Sequence, residues 1–497
     1  MLFNSYAFLF LFLPLTLLVF HGLRSRGWLG GSVASLTLAS IAFYAYWRPP
    51  DTLILLGSVL FNFTIARMLV QPGENRSRVL LALGIAVNLG VLCYFKYFNF
   101  LATNLAAAGN IEYIARTIVM PIGISFFTFT QIAYLVDCRR NRTSEPNLVN
   151  YALFVTIFPH LIAGPIIHHA QMRPQFVAIA RQAIDPEYIK MGMLIFVIGL
   201  AKKVLFADNL VVGADAVFNA ADHGASLGSA AAWIGMVSYT LQIYFDFSGY
   251  SDMAIGLALL FGLRLPVNFD SPYKSRSIIE FWRRWHITLS AWLRDYLYIP
   301  LGGNRHGELA RLRNIFVTML LGGLWHGAGW TFVIWGALHG AYIVVNHALH
   351  IGKDRSALPE PRHTAAIKQA ATLLLVMIAW VFFRAKTVPG ALLLLQSLVP
   401  ATAAPAQTPE GLGLVLAFWI LAGSAVVLLA PNTQQLVRYS DRLAEPLILP
   451  QGPAWTALFA ARPALPATPA VAIACGLLFA IAFAQLWRPQ IFIYFNF

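Results

Sequence analysis

The sequence predicts an all-α protein that crosses a membrane many times, and three observations carry that prediction. Hydrophobic residues fill 58% of the 497 positions while charged residues fill 11%, less than half of the about 25% charge of an ordinary soluble domain. Apolar runs recur along the chain at the length of about 20 residues that a helix needs to span a hydrocarbon core. The net charge of +14 is not spread over a face but falls in short Lys/Arg clusters between those runs, the pattern of cytoplasmic loops. Membrane lipid is therefore the expected surrounding, and no nucleic acid is expected as partner. About eleven to thirteen membrane segments are expected, some of them broken or re-entrant.

The elements follow in order. Met1 to Phe20 has no basic residue before its apolar stretch, and Arg24 and Arg26 come after it. With no small-residue cleavage site between, it reads as an uncleaved helix whose N-terminus is periplasmic. Arg48 to Asp51 is then external, Arg76 and Arg78 internal, Asn110 to Glu112 external, and Arg139, Arg140 and Arg142 internal. This alternation gives five spans, roughly 5–22, 29–47, 52–70, 79–101 and 115–136. The next apolar run, 148–169, holds Pro159, His160, Gly164, Pro165, His168 and His169, which suits a broken or re-entrant segment lining a cavity. Residues 170–190 are polar and read as a cytoplasmic surface helix or loop.

Further spans are expected near 191–207 and 229–247, the latter followed by a run with two acids, Asp246 and Asp252. These acids are either buried structural groups or the lining of a polar passage. From Arg264 to Arg313 nine Lys/Arg stand against four Asp/Glu, so this net-basic stretch points to the cytoplasmic face. Spans resume near 314–325, 328–350, 366–384, 411–430 and 468–487, with a short apolar run at 389–399 and Pro/Ala-rich loops at 399–410 and 431–466. No fixed-period repeat is visible, against the two-halved architecture of many transporters. The chain reads as one domain over 1–497, with N-terminal spans in 1–114, a central part in about 115–350 and C-terminal spans in 351–497.

Chemistry concentrates in residues 281–330. His286 and His326 lie 40 positions apart, each after a tryptophan, Trp285 and Trp325. An ionisable side chain at membrane depth is costly, so its default reading is functional, with a partner or a cavity nearby. His326 sits in LGGLWHGAGW, where small residues admit close approach and aromatic rings exclude water. A neutral imidazole there can act as a general base toward a hydroxyl. His286 lies among Arg283, Arg284, Arg294 and Asp295 and has two readings, an aid to the reaction or a support that holds the FWRRW segment. The arginines likewise either mark the cytoplasmic side or bind phosphate, and Asp295 can pair with Arg294. Cys93, Cys138 and Cys475 form no redox or metal spacing; no phosphate loop or HExxH pattern occurs, and no metal is expected. His160, His168 and His169 have no assignable catalytic role.

At these residues the sequence resembles the membrane-bound O-acyltransferases, in the bacterial branch of alginate O-acetylases and the D-alanyl transfer protein of teichoic acid modification. The resemblance runs through the opening MLFNSYAFLFLFLPL, PIGISFFTFTQIAYLVDCRR at 121–140, FPHLIAGPI at 158–166, YFDFSGYSDMAIGLALLFG at 244–262, FWRRWHITLSAWLRDYLYIPLGGNR at 281–305, LWHGAGWTFVIWGALHG at 324–340 and VFFRA at 381–385. Length and the closing RPQIFIYFNF favour the exopolysaccharide side. The resemblance implies a helical funnel or tunnel through the bacterial inner membrane. An acyl thioester, acetyl-coenzyme A or an acyl carrier, would enter from the cytoplasm as substrate, and no cofactor would be bound permanently. The family's catalytic histidine falls on His326 and its upstream polar position on His286, which would orient an intermediate or stabilise the oxyanion, or else hold FWRRW against the core; Arg283, Arg284 and Arg294 would meet the donor's phosphates. A secreted polysaccharide would be the acceptor, with periplasmic acetyltransferase and exopolysaccharide proteins as partners. Two other readings stay open, D-alanyl transfer to teichoic acid and a transporter that uses the same histidines as proton relays.

Overall fold

All regular structure among the described residues is helical, and the sole strand-like pairing among them is an isolated antiparallel bridge between Phe269 and Trp285. The computed structural model describes residues 1–179, 185–350, 361–400, 413–437, 439, 468–487 and 492–493. Most of the loops read at 399–410 and 431–466, and of the closing RPQIFIYFNF, lies outside the described residues. Among the described residues five helices are long and apolar enough to cross a membrane, Phe8–Ser25, Pro49–Leu69, Glu74–Ala108, Trp330–Leu349 and Arg362–Arg384. The chain is a multi-pass membrane protein that divides into two compact units.

The first unit comprises Met1–Phe196 with Ser251–Pro266. It opens with a π-helical turn, Phe8–Phe12, that continues into α1 (Leu13–Ser25), followed by α2 (Leu29–Ala45) and α3 (Pro49–Leu69). Next, α4 (Glu74–Leu92) runs through a second π turn, Cys93–Tyr97, into α5 (Phe98–Ala108). Helices thus lie within a few residues of the first three expected spans, α2 as a shorter apolar helix, and the fourth extends to residue 108. The fifth differs: residues 111–120 are not helical, and α6 (Ile124–Asn141) starts only after Gly123. Gly123 has a φ of +72°, and a Cβ there would lie 2.9 Å from the Leu161 carbonyl oxygen. Only glycine admits that left-handed turn against a neighbouring backbone.

Every residue from Ile124 to Leu135 is buried, so α6 is an interior helix with no polar stripe. Between α3 and α4 the amides of Asn62 and Asn88 exchange hydrogen bonds of 3.1 and 2.7 Å, which satisfies both groups where the helices meet. Arg139 and Arg142, at the end of α6, both reach the Glu74 carboxylate, at 2.7 and 2.8 Å. The 148–169 run is broken as expected, into α7 (Leu148–Thr156) and α8 (Phe158–Leu161) with an extended hinge at Ile157. His160, inside this break, bonds through Nδ1 to the Pro165 carbonyl at 2.7 Å. After α9 (His169–Ile179), α10 (Pro186–Ala201) passes close to the Ser251–Pro266 stretch, where a Cβ on Gly256 would stand 2.5 Å from the Gly192 carbonyl oxygen.

The second unit comprises Val197–Tyr250 and Val267–Ile493. A π turn at Lys202–Ala207 leads into α11 (Asp208–Asp222), and then α12 (Ser229–Leu260) runs for 32 residues, about 48 Å. The span read from the sequence ends at 247, between the two acids; instead the helix continues through both. The reason for Asp246 is a partner. Lys203 Nζ lies 2.6 Å from Asp246 and 2.8 Å from Asp208, and the Ile493 N–H donates to the other Asp246 oxygen at 2.9 Å. The Phe492 ring covers the same ammonium at 4.5 Å.

Then come α13 (Ile278–Arg284) and α14 (Ile287–Leu293), a π turn at Arg294–Tyr298, and the hairpin of α15 (Gly307–His326) with α16 (Trp330–His350). The basic stretch 264–313 is therefore folded structure rather than a plain loop, and Lys274 and Arg284 within it are buried. Where a span is expected at 314–325 the helix begins seven residues earlier, at Gly307, and it is not among the five helices long and apolar enough to cross a membrane. The described chain ends with α17 (Arg362–Arg384), α18 (Val388–Ser397), α19 (Leu414–Leu429), α20 (Thr433–Val437) and α21 (Pro469–Ala484).

Removing one member of a buried ion pair leaves an uncompensated charge and costs about 3–5 kcal/mol, whereas replacing all members with apolar groups is often neutral. Lys203→Met is accordingly expected to lower thermal stability in detergent by that amount, and Lys203→Met/Asp246→Leu/Asp208→Asn to recover most of it. Equal melting points for the single variant and the parent chain would contradict the role of the ion cluster.

Candidate functional site

The site is set by how closely α15 and α16 approach. A Cβ on Gly323 would lie 2.8 Å from the Gly336 Cα, and one on Gly336 would lie 2.6 Å from the Met319 carbonyl oxygen. No residue larger than glycine fits either position without parting the helices, as at small-residue crossings in membrane bundles. The helix α15 ends at His326 because Gly327 adopts an extended backbone that breaks the repeat. A Cβ on Gly327 would collide with the Phe332 ring. The glycines that the sequence reads as room for close approach are thus used by this protein's own backbone and by Phe332.

This turn places His326 at the C-terminal end of α15, 4% exposed. Its imidazole is walled by Trp325, Trp335 and Phe383, with ring centroids at 4.9, 5.0 and 5.2 Å. Trp335 stacks in turn on Trp380 at 5.9 Å, and Trp380 contacts Trp285 at 4.9 Å. Two ring contacts therefore connect Trp335, beside His326, with the residue that precedes His286. The arrangement sets one imidazole among aromatic rings, a low-dielectric setting of the kind in which proton transfer and charge stabilisation count most.

His286 is held differently. It occupies the corner between α13 and α14 with a left-handed backbone, φ +45°, a conformation that a non-glycine residue keeps only where its surroundings enforce it. The enforcement comes from Asn268. The Asn268 carbonyl accepts from the Ile287 N–H at 3.0 Å, while Oδ1 accepts from the Thr288 N–H at 3.3 Å and the Thr288 hydroxyl at 3.0 Å. A backbone N–H can only donate, so that amide atom is the oxygen, and His286 Nδ1, 3.0 Å from it, must carry the proton. In the neutral ring Nε2 therefore holds a lone pair. It accepts a proton or a hydrogen bond and donates none, so His286 offers no donor to an oxyanion while neutral. Ala at Asn268 would strand three buried donors, at about 1–3 kcal/mol for each group left without an acceptor. Asn268→Ala is expected to depress the melting temperature in detergent measurably; an unchanged transition would refute this support for His286.

The three arginines read from the sequence have three settings. Arg284 is buried, with Glu280 at 2.9 Å, the Asp270 carboxylate at 3.6 Å and the Asp270 carbonyl at 3.2 Å. Asp270 also accepts from the Asn432 amide at 2.7 Å. The guanidinium is thus engaged in the interior, and a phosphate would have to displace this network. Arg294 is exposed and forms a two-pronged bond with Asp295 at 2.7 and 2.9 Å, the internal pairing considered from the sequence. Arg283, the residue before Arg284, is exposed. His169 bonds Glu145 at 3.2 Å, which accounts for it structurally.

One buried histidine escaped the sequence reading. His339, on α16, is fully buried and accepts at Nδ1 from the Trp282 indole at 3.2 Å. Its only signal was its place in WGALHG, thirteen residues after His326 on the partner helix. Asn268 gave none, because nothing in PVNFD announces a contact 18 residues away.

The family model described as the membrane-bound O-acyltransferase family matches residues 75–385. The peptidoglycan O-acetyltransferase of Helicobacter pylori is 42% identical, over 80% of either chain. A probable alginate O-acetylase of Pseudomonas putida is 45% identical over 78% of either chain. A teichoic acid D-alanyltransferase of Streptococcus thermophilus is 28% identical, over 53% of this chain and 68% of its own. With a family model spanning more than half of its length and relatives of this extent, the chain belongs to the membrane-bound O-acyltransferase family and is an O-acyltransferase.

Proposed function

We propose that this enzyme O-acetylates a secreted polysaccharide, with His326 as the general base. The observation that carries this reading is the burial of His326 at the end of α15 among Trp325, Trp335 and Phe383, a dry aromatic cage around one imidazole. The imidazole takes the proton from an acceptor hydroxyl, and the oxygen attacks the carbonyl carbon of an acyl thioester. The tetrahedral intermediate then expels the thiolate, which recovers the proton from the imidazolium, so that an ester and a thiol result. Such proton transfer contributes typically 10²–10⁴-fold, and alignment of the two substrates supplies much of the rest.

The donor in this proposal is acetyl-coenzyme A or an acetylated carrier arriving from the cytoplasm, and no cofactor stays bound. Exposed Arg283 is the arginine best suited to meet the donor's phosphate. His286, with Nε2 as an acceptor, orients a hydroxyl or an intermediate. The membrane segments, about eleven to thirteen with the broken ones included, would enclose a tunnel in the bacterial inner membrane, with the N-terminus periplasmic. Acetylation is favoured over D-alanyl transfer because the relatives named for O-acetylation are the more similar and match over more of the chain. Periplasmic acetyltransferase and exopolysaccharide proteins are the expected partners.

The test compares secreted polymer from cells carrying the parent enzyme, His326→Ala or no gene. Mass analysis is expected to find acetyl esters with the parent alone, and a fall of about 10²–10⁴-fold in the rate of their formation for His326→Ala at equal membrane abundance. Unchanged acetylation by the variant would exclude His326 as base, and D-alanyl esters in place of acetyl would move the enzyme to teichoic acid modification.

A further inference from the structure

Trp335 and His339 share more than their position one turn apart on α16. Trp335 touches both buried histidines, with ring centroids 5.0 Å from His326 and 4.9 Å from His339. The Trp282 indole nitrogen, which can only donate, bonds to His339 Nδ1 at 3.2 Å. Nδ1 is therefore an acceptor, and the proton of the neutral ring sits on Nε2. That Nε2–H has no hydrogen-bond partner among the described residues, and neither has the Trp335 Nε1–H. Both residues are at least 99% buried. Buried donors without an acceptor are rare in native proteins because each loses its bonds to water and regains nothing. These two lie four residues apart on α16, and the Trp335 ring touches both the proposed base and His339.

We propose that the Trp335 Nε1–H and the His339 Nε2–H bind the carbonyl oxygen of the acyl thioester and stabilise the negative charge that develops there. This deepens the reading of His326 as base and rests on it. An acyl carbonyl oxygen only accepts hydrogen bonds, which matches a site offering two donors. The attacking hydroxyl has a proton to give away and needs an acceptor, which in this reading is His326. When the acceptor oxygen bonds to the carbonyl carbon, the C=O π pair moves onto the oxygen facing these donors. It returns as the C–S bond breaks, and the thiolate takes the proton that His326 had removed. The surrounding Trp380, Phe281 and Trp282 rings keep water from competing, which strengthens hydrogen bonds to a developing charge. Trp282 acts as a positioning residue, because its indole fixes which nitrogen of His339 carries the proton.

The experiment expresses full-length variants in gene-deleted cells and measures the initial rate of polymer O-acetylation at matched membrane abundance, with detergent melting as the check on folding. Trp335→Phe keeps a packing ring and removes one donor; it is expected to slow acetylation by about 10²–10³-fold, the usual loss for an oxyanion donor. Two substitutions at His339 separate chemistry from packing. Gln places an N–H near the position of Nε2, whereas Asn keeps an acceptor near Nδ1 for Trp282 and supplies no donor at Nε2. His339→Gln is expected to retain at least about tenfold more activity than His339→Asn. Parent-like rates for Trp335→Phe, or His339→Asn as active as His339→Gln, would overturn the proposal. If Trp335→Phe does not fold, the order of the two His339 variants decides. His326→Ala runs in the same series: if it retains activity, the base assignment fails, whereas an inactive His326→Ala beside a fully active Trp335→Phe removes only the donor pair.

Discussion

The backbone contact of α15 with α16 at Gly323 and Gly336 is the constraint on which the site depends. With no side chain between the two helices, the end of one and the start of the other converge, and Trp335 comes against His326. Lipid offers no hydrophobic drive for helix association, so close packing of small residues must hold such a pair together. The same contact therefore stabilises the hairpin and sets the surroundings of His326. Gly327 extends the effect by stopping α15 immediately after the histidine while leaving space for Phe332.

In the second unit two buried clusters of charge are matched internally. Lys203 is shared by Asp208 and Asp246, and Asp246 also takes the Ile493 N–H. Arg284 is matched by Glu280 and Asp270, with Asn432 completing the coordination of Asp270. Low dielectric makes an unmatched charge far more costly than in water. Both clusters tie segments distant in sequence, the last described residues in one case and the Asn432 turn in the other, so they fix the second unit's fold as well as neutralising it.

The two histidines that look equivalent as Trp-His pairs have different physical settings. His326 is enclosed by rings, whereas His286 is clamped at a strained corner by the side chain and backbone of Asn268. That clamp specifies an acceptor at His286 Nε2. At His339 the indole of Trp282 specifies the opposite tautomer, with a donor at Nε2. Neighbouring side chains thus assign complementary roles to chemically identical imidazoles.

Composition and charge alternation alone determined that the chain crosses a membrane repeatedly, because the length and polarity of each apolar run are local properties. The same local signals foretold the break in 148–169, where prolines and glycines interrupt the run. They misplaced the start of α6 and the extent of α12, because a start set by Gly123 lying against Leu161, and a helix that keeps Asp246 by pairing it with Lys203, depend on residues 38 and 43 positions away. They could not separate Arg284, engaged inside, from Arg283, exposed, although the two are adjacent in sequence. Nor could they find Asn268 or His339. What a buried polar group donates or accepts is decided by the partner that folding brings to it, and only the tertiary structure supplies that partner.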